Sequence, residues 1–499
     1  MNRTLTPLQT RLFFLLAILL FVLPFILADF PYVDDNWRIQ LQNGLEWRQQ
    51  GRVLTEMFYR LLTFSGTTLN IFPLPLLGGG GGVIASVAAA WALTDLARHY
   101  FGAPRPTQCL AILPLWFSPF WLGNLTYQYD GPAMALSLVA VIYAVVFRSR
   151  HTLVTLLAPA ILLAAAIAFY QVALNVFIAL CGLELIRGVQ RRVAPERLLR
   201  LVLRQVVQLL LGMLFYYLTA YQLVTTDRHA GLGADLLPIL WQRLGEVLHC
   251  VELLLTPGNT WLWIIFGALA ALGYGLGALA YARAYGRRAQ PVLLLYGATL
   301  PVLALCVAGI TLLFRDFILE ARTLTGMAVV LMLGLLLAHD LLERLVPRLE
   351  WLVILPLLWM LSLAYAYGQV LSAQKTFERE LVQELRQDLS SDPRLRQFKR
   401  ILWTGGPLEV TWLPLAHRTL EQLPVLPFIL GLSPGNFMIA ERLQDLGVID
   451  DADSDSCTQR VAVPGAGVRL VDNLYYDIWA VGEDGCIIMK PRPPWIPFE

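Results

Sequence analysis

Charge is what this chain has least of. Of its 499 residues 15% are charged and 57% are apolar, and the formal net charge is +2. A soluble globular domain carries about 25% charged residues, so the composition is that of a polytopic membrane protein. The small net charge argues against a nucleic-acid partner, because Lys and Arg form short clusters between apolar runs instead of one basic face. Cysteine is also scarce, and six residues in a chain this long make no disulfide scaffold. Cys109, Cys181 and Cys306 lie within apolar runs and Cys250 beside one, where a thiol reads as a small buried side chain. Cys457 and Cys486 lie in the polar tail and are candidates for a disulfide if that tail is outside the cytoplasm. The six histidines show no metal-ligand spacing, and neither a Gly-x-Ser-x-Gly elbow nor a nucleotide fingerprint occurs. These absences weigh against a nucleotide-sugar enzyme of Rossmann type.

What is present is a succession of apolar runs. A spanning helix needs roughly 20 apolar residues, which gives about eleven spans. They are expected near 10–28, 71–96, 108–123, 132–147, 152–169, 172–187, 203–224, 261–282, 291–313, 324–340 and 351–370. The first follows Arg3 and Arg11, lacks a small-residue cleavage motif and is expected to be a retained span. Every second connection is basic: Arg98 and Arg105, Arg148 and Arg150, Arg187 to Arg204, Arg283 to Arg288, then Arg344 and Arg348. By the positive-inside rule the N-terminus is cytoplasmic, and residues 29–70, the turn at Asp130, residues 225–260, residues 314–323 and the tail lie outside. The expected fold is an all-α polytopic membrane domain over 1–370 followed by a small α/β extramembrane domain over 371–499.

In that tail, Lys375 to Leu389 has the spacing of an amphipathic helix ended by Asp392-Pro393. Phe398 to Trp403, Leu408 to Leu413, Val461 to Val463, Val468 to Val471 and Ile478 to Val481 read as short strands. The acidic turn from Asp450 to Asp455 alternates carboxylates but misplaces the Gly and distal Glu of a calcium loop, so it reads as a solvated turn. The run Gly78 to Gly82 lacks the Gly-Lys-Ser/Thr of a phosphate loop and suits close approach of helices or a lipid chain.

The chemistry concentrates on the predicted outer side. Asp34-Asp35 follow the first apolar run directly, with Tyr32 and Trp37 beside them and Glu46, Arg48 and Arg52 soon after. In an extended segment adjacent carboxylates point opposite ways, so one is free to act as a general base while the other is held. The plainer reading is a cap ahead of a helix starting near Trp37. Tyr32 and Trp37 suit stacking on a sugar or an interfacial aromatic belt. From Trp37 to Phe64 the loop reads as amphipathic helices broken at Gly51, and Leu236 to Leu255 as another. Arg52, Arg315 and Arg322 are suited to a lipid-linked phosphate, or to pairing with a neighbouring carboxylate. Asn124, Tyr127, Gln128 and Asp130 form one polar turn, and Tyr170-Gln171 with Asn175 another. Both suit sugar hydroxyls or helix ends. Asp95, Glu184 and Asp340, near cytoplasmic ends, are expected to pair with Arg98, Arg187 or Arg344.

Taken in order, Tyr32-Val33-Asp34-Asp35-Asn36-Trp37-Arg38, Gly51-Arg52, Tyr127-Gln128-Tyr129-Asp130, Tyr170-Gln171 and Arg322 resemble the type II glucosyltransferases that modify bacterial O-antigen. The resemblance covers roughly residues 10–340 and leaves out the tail. It implies a GT-C glycosyltransferase of the bacterial inner membrane, working on the periplasmic face with a polyprenyl-phosphate sugar donor and a lipopolysaccharide glycan as acceptor. The family's outer-loop acid maps onto Asp34 or Asp35, with Arg38, Glu46, Arg52, Arg315 and Arg322 among the substrate-binding candidates. Two aspartates beside a phosphate leave a place for a divalent metal, Mg²⁺ or Mn²⁺. The alternative class is a transporter or flippase of a lipid-linked sugar. It calls for polar residues near mid-membrane in repeated halves, whereas these gather at one face.

Overall fold

In a computed structural model the described residues are 4–35, 38, 45–63, 82–225, 236–404, 413–431, 439, 443, 454–463, 465 and 467–490. Trp37, Gly78–Gly81, the expected strand over 408–412 and Asp450–Asp453 lie outside them. The chain divides into two compact units, Met1–Ile26 with Gln42–Tyr365, and Leu27–Leu41 with Ala366–Glu499.

Six stretches among the described residues are long and apolar enough to cross a membrane: Pro7–Ala28, Thr152–Phe169, Ala173–Gln190, Pro195–Leu223, Thr260–Cys306 and Pro347–Ser391. Thr260–Cys306 holds two helices, Thr260–Tyr285 and Gln290–Cys306, and Pro106–Phe117 and Asp130–Val146 are apolar but shorter. The protein is mainly helical and multi-pass. Stretches of spanning length give fewer crossings than the eleven expected.

The first unit is turned inside out relative to a soluble bundle. Pro195–Leu218 buries Gln205, Gln208 and Gly212 and exposes Leu203, Leu210 and Leu214, because lipid solvates leucine while an amide must find a protein partner. Gln208 Nε2 donates to the Thr155 carbonyl at 2.8 Å. Close approach is carried by glycine: a Cβ on Gly212 would stand 2.9 Å from Leu163, and one on Gly273 would stand 3.0 Å from the Leu337 carbonyl. Small residues at such crossings let helix backbones pack where no hydrophobic effect drives them together.

The span expected over 108–123 is not one helix. Pro114 and Pro119 each start a new short segment, giving Pro106–Ile112, Pro114–Phe117, Pro119–Trp121 and Leu122–Leu125. Proline cannot donate the hydrogen bond that would continue the preceding helix. Such broken backbone is tolerated at membrane depth when buried in protein, and every residue from Thr107 to Leu125 except Gln108 is buried. The segment ends on the turn that carries Tyr127 and Asp130.

The amphipathic helix expected over 375–389 is the end of one 38-residue helix, Ile354–Ser391, whose residues from Ala366 on belong to the second unit. At 1.5 Å per residue it is about 57 Å long. Phe377, Leu381, Leu385 and Leu389 form its buried stripe. A four-stranded sheet follows in the order β1-β4-β3-β2, where β1 is Arg400–Thr404, β2 Val468–Asp472, β3 Tyr476–Val481 and β4 Asp484–Met489. The β1–β4 pair is parallel and the other two are antiparallel. Val461–Val463, expected as a strand, instead closes the helix Ser454–Val461. That helix sets Cys457 against β4, where it is joined to Cys486 in a disulfide with Cα atoms 5.6 Å apart. Asp484 at the start of β4 receives Arg400 at 3.1 Å and Arg460 at 2.8 Å. Burial raises its carboxyl, and the two arginines outweigh that and hold it below the ordinary value.

Candidate functional site

The expected break at Gly51 is present, between the helices Leu45–Gln49 and Val53–Thr63. Gly51 has φ +75°, and a side chain there would collide with the Tyr216 hydroxyl, so glycine satisfies both the conformation and the space. The turn is tied down by Gln171, whose Nε2 donates to the Gln50 carbonyl at 2.6 Å and to the Tyr216 hydroxyl at 3.3 Å. Its side-chain oxygen accepts from Arg52 Nε at 3.4 Å.

Arg52 then meets the residues of two distant turns. Its guanidinium lies 5.1 Å over the Tyr170 ring and 3.7 Å from Asp130 Oδ1. Asp130 is buried at the start of Asp130–Val146 and accepts the Trp47 indole N–H at 2.5 Å. Trp47 in turn stacks on Tyr59 at 5.0 Å, and the Tyr59 hydroxyl donates to the Tyr129 carbonyl. Tyr170 bridges to the second arginine by donating to the Arg322 carbonyl at 3.0 Å, which also accepts from Asn124 Nδ2 at 3.2 Å. The Arg322 side chain donates to the Tyr127 hydroxyl at 2.5 Å, stands 5.1 Å over that ring and pairs with Glu320. Burial pushes the Tyr170 hydroxyl up although both arginines pull it down, so it stays a neutral donor.

Arg52, Tyr127, Asp130, Tyr170, Gln171 and Arg322 thus form one cluster in the first unit, drawn from residues up to 270 positions apart. The two guanidiniums are 18% and 22% exposed, half-buried cations on aromatic walls that an anionic ligand can still reach. Such a site offers planar, bidentate donors that keep their charge at any physiological pH.

Other candidates are placed differently. Asp34 and Asp35 lie in a helical turn, not the extended segment expected for them. Asp35 is buried and accepts the Tyr32 backbone N–H at 2.8 Å, the backward reach of a helix-capping carboxylate. Asp34 is half-buried. Just before them Val33 holds φ +43°, a strained conformation for a β-branched residue. Tyr32 is buried and its hydroxyl donates to the Leu430 carbonyl at 2.6 Å. Arg38 is buried and Glu46 half-buried in the first turn of Leu45–Gln49. Arg315 has an exposed side chain, and its carbonyl accepts from Arg243 at 3.1 Å; among the described residues no contact joins it to the cluster. Asn175 serves the backbone, donating to the Ala308 carbonyl at 2.9 Å and accepting from Ile310 N–H at 3.1 Å.

Sequence reasoning misses four residues. Trp47 counts there only toward the apolar share of an amphipathic helix, although an indole N–H on a buried stripe needs an acceptor, and Tyr59, stacked on it, is not singled out. Glu56, buried between Arg48 at 2.9 Å and Arg60 at 2.7 Å, braces the same helix pair. Arg243 is buried and gathers the carbonyls of Leu312, Phe314 and Arg315.

The fold and this cluster define a multi-pass membrane protein with an arginine–aromatic site built at the ends of its helices. The glucosyl transferase GtrII family model matches residues 23–333, and the chain belongs to that family of glucosyl transferases. An uncharacterized 55.3 kDa protein of the gtrB 5' region in Salmonella phage P22 is 27% identical over 213 residues, 42% of each chain. The match therefore spans less than half of that relative. No solved structure matches.

Proposed function

We propose that the protein moves a sugar, glucose by its family, from a polyprenyl-phosphate donor to an O-antigen or lipopolysaccharide glycan. It works as a GT-C enzyme of the bacterial inner membrane with about eleven spans, counted at roughly 20 residues each. The N-terminus is cytoplasmic, and the outer loop and the C-terminal domain over 371–499 are periplasmic. The observation that carries this reading is the convergence of Arg52 and Arg322 on Tyr127, Tyr170 and Asp130 inside the family-matched part of the chain.

A phosphate monoanion or dianion is the ligand that two half-buried guanidiniums suit best. In the donor-bound state the phosphate takes the place of Glu320 opposite Arg322, while Asp130 keeps Arg52 oriented. During transfer the acceptor hydroxyl oxygen bonds to the anomeric carbon and the bond from that carbon to the phosphate oxygen breaks. Charge accumulates on the departing polyprenyl phosphate, where fixed arginines stabilise it most. The acceptor proton passes to Asp34 or Asp35, the outer-loop base.

The test is transfer of labelled glucose from polyprenyl-phosphate-glucose by the purified chain, comparing wild type with Asp34→Asn, Asp35→Asn and Arg322→Gln at matched amounts. The reading expects one of Asp34→Asn and Asp35→Asn to abolish turnover while donor binding persists. Full turnover in both aspartate variants removes the base assignment. No turnover in wild type with a panel of lipid donors moves a lipid-linked-sugar transporter ahead.

A further inference from the structure

At another place in the first unit, His339 is buried with its Nδ1 facing two carboxylate oxygens and no hydrogen-bond partner. Asp340 Oδ1 stands 3.6 Å from that nitrogen and Glu343 Oε2 stands 3.9 Å from it. The three groups share one end of Met327–Leu345, and their candidate ligand atoms all lie within 4.8 Å of one another. We propose that this trio is a binding site for one divalent transition-metal cation of the Zn²⁺ or Mn²⁺ class.

Three features of the surroundings point the donors inward. Asp340 gives its other oxygen, Oδ2, to Arg187, and Glu343 gives Oε1 to Arg105 at 2.5 Å. Each carboxylate is thus anchored through one oxygen and turns the other toward His339. On the far side of the ring, Nε2 is 3.2 Å from Thr107 Oγ1 and 3.6 Å from Glu350 Oε2, and Glu350 is itself steadied by Arg105 at 3.3 Å. With its proton on Nε2, toward that hydroxyl and carboxylate, the imidazole would present a lone pair at Nδ1, the arrangement that outer-sphere partners impose on metal-binding histidines.

A lone pair aimed at two anionic oxygens in a buried site is repulsive unless a cation lies between them. The Nδ1 distances of 3.6 and 3.9 Å exceed N–H···O hydrogen-bond length. A metal bonded at about 2.1 Å to each donor in tetrahedral geometry separates the donors by about 3.4 Å, close to what is found. Asp340, Glu343 and Glu350 are paired with Arg105 and Arg187, and Arg191 also lies within electrostatic reach of Asp340. One nitrogen and two carboxylate oxygens suit the borderline cations, with water filling the remaining positions. His249 and Glu252, a pair at 3.8 Å, supply the contrast, since both side chains are largely exposed.

The experiment uses the full-length chain in detergent with a tag free of histidine, stripped by chelator, dialysed and titrated with Zn²⁺ and Mn²⁺. Calorimetry and elemental analysis read the stoichiometry. One ion per chain is expected in wild type and in His249→Ala. Affinity should fall at least about 100-fold in His339→Ala and in Glu343→Gln, the upper end of what losing even an outer-sphere partner costs. The ion should raise the thermal midpoint of wild type and of His249→Ala but not of His339→Ala or Glu343→Gln. Glu343→Gln guards against misfolding, because its partly exposed amide keeps the shape of the carboxylate. Absence of stoichiometric binding in wild type, or unchanged binding in a monodisperse Glu343→Gln, overturns the proposal.

Discussion

Replacing Tyr127 with Phe removes one oxygen from the arginine cluster and leaves the aromatic face in place. That oxygen accepts from Arg322 at 2.5 Å, and the ring lies 5.1 Å from the guanidinium carbon. A hydrogen bond to a charged group contributes about 1.5–3 kcal/mol. Because Arg322 is 22% exposed, water compensates in part and the lower end applies. About 1.5 kcal/mol corresponds to a roughly tenfold fall in transfer rate at saturating donor. Tyr127→Leu also removes the ring face, worth about 0.5–1 kcal/mol more at a partly exposed site, and should bring the loss to roughly 50-fold. Arg322→Gln should cost at least about 100-fold, the scale for deleting a group that stabilises transition-state charge. In that background Tyr127→Phe should cost little, because its partner is gone. The assay is steady-state transfer from polyprenyl-phosphate-glucose in detergent. Additive losses in the double variant, or full turnover in Arg322→Gln, would refute the claim that Tyr127 acts by positioning Arg322.

Three further outcomes follow from the packing. Gly309→Ala should lower the yield of folded protein, since Gly309 has φ +60° and a Cβ there collides with the Asn175 side chain that ties Ala308 to Ile310; size-exclusion profiles at matched expression read it. Removing the Cys457–Cys486 bridge, which closes a loop of 29 residues, should destabilise the C-terminal sheet by about 3.6 kcal/mol on the chain-entropy scale. Hydrogen exchange in β4 of the full chain reports that loss in a Cys457→Ser/Cys486→Ser variant. Asp484 has a lowered folded-state value, so its contribution is complete above the ordinary 3.8 and disappears as pH falls below that toward the lowered value. Sheet protection should therefore drop in that acid window in wild type, with a smaller drop in Asp484→Asn.

Much of the candidate site is legible in the sequence because its residues are polar or aromatic where apolar ones would do. Arg52, Asp130, Tyr170, Gln171 and Arg322 stand out against their flanking runs, and Gly51 marks a break that the backbone uses. Their mutual contacts are not legible, since Tyr170 meets Arg322 across 152 positions. Local spacing misleads in three places. Pro114 and Pro119 sit in a run apolar enough to be read as one span, yet cut it into short buried pieces. Val461–Val463 has strand-forming residues, but Cys457 anchors that segment as a helix against β4. The strand Asp484–Met489 begins with Asp-Gly, a turn signal, because the Asp is needed by two arginines and a Cβ on Gly485 would stand 2.6 Å from the Phe398 ring. His339 escapes notice for a related reason: a ligand set with a single histidine has no His–His spacing to find.

The central claim concerns the donor. The most direct measurement gives the purified wild-type chain polyprenyl-phosphate-glucose and, separately, a nucleotide-activated glucose, each with lipopolysaccharide as acceptor, and follows labelled glucose into the glycan. The account predicts incorporation from the lipid-phosphate donor alone, lost in Asp34→Asn or in Asp35→Asn. Incorporation from the nucleotide sugar without any lipid carrier would contradict it.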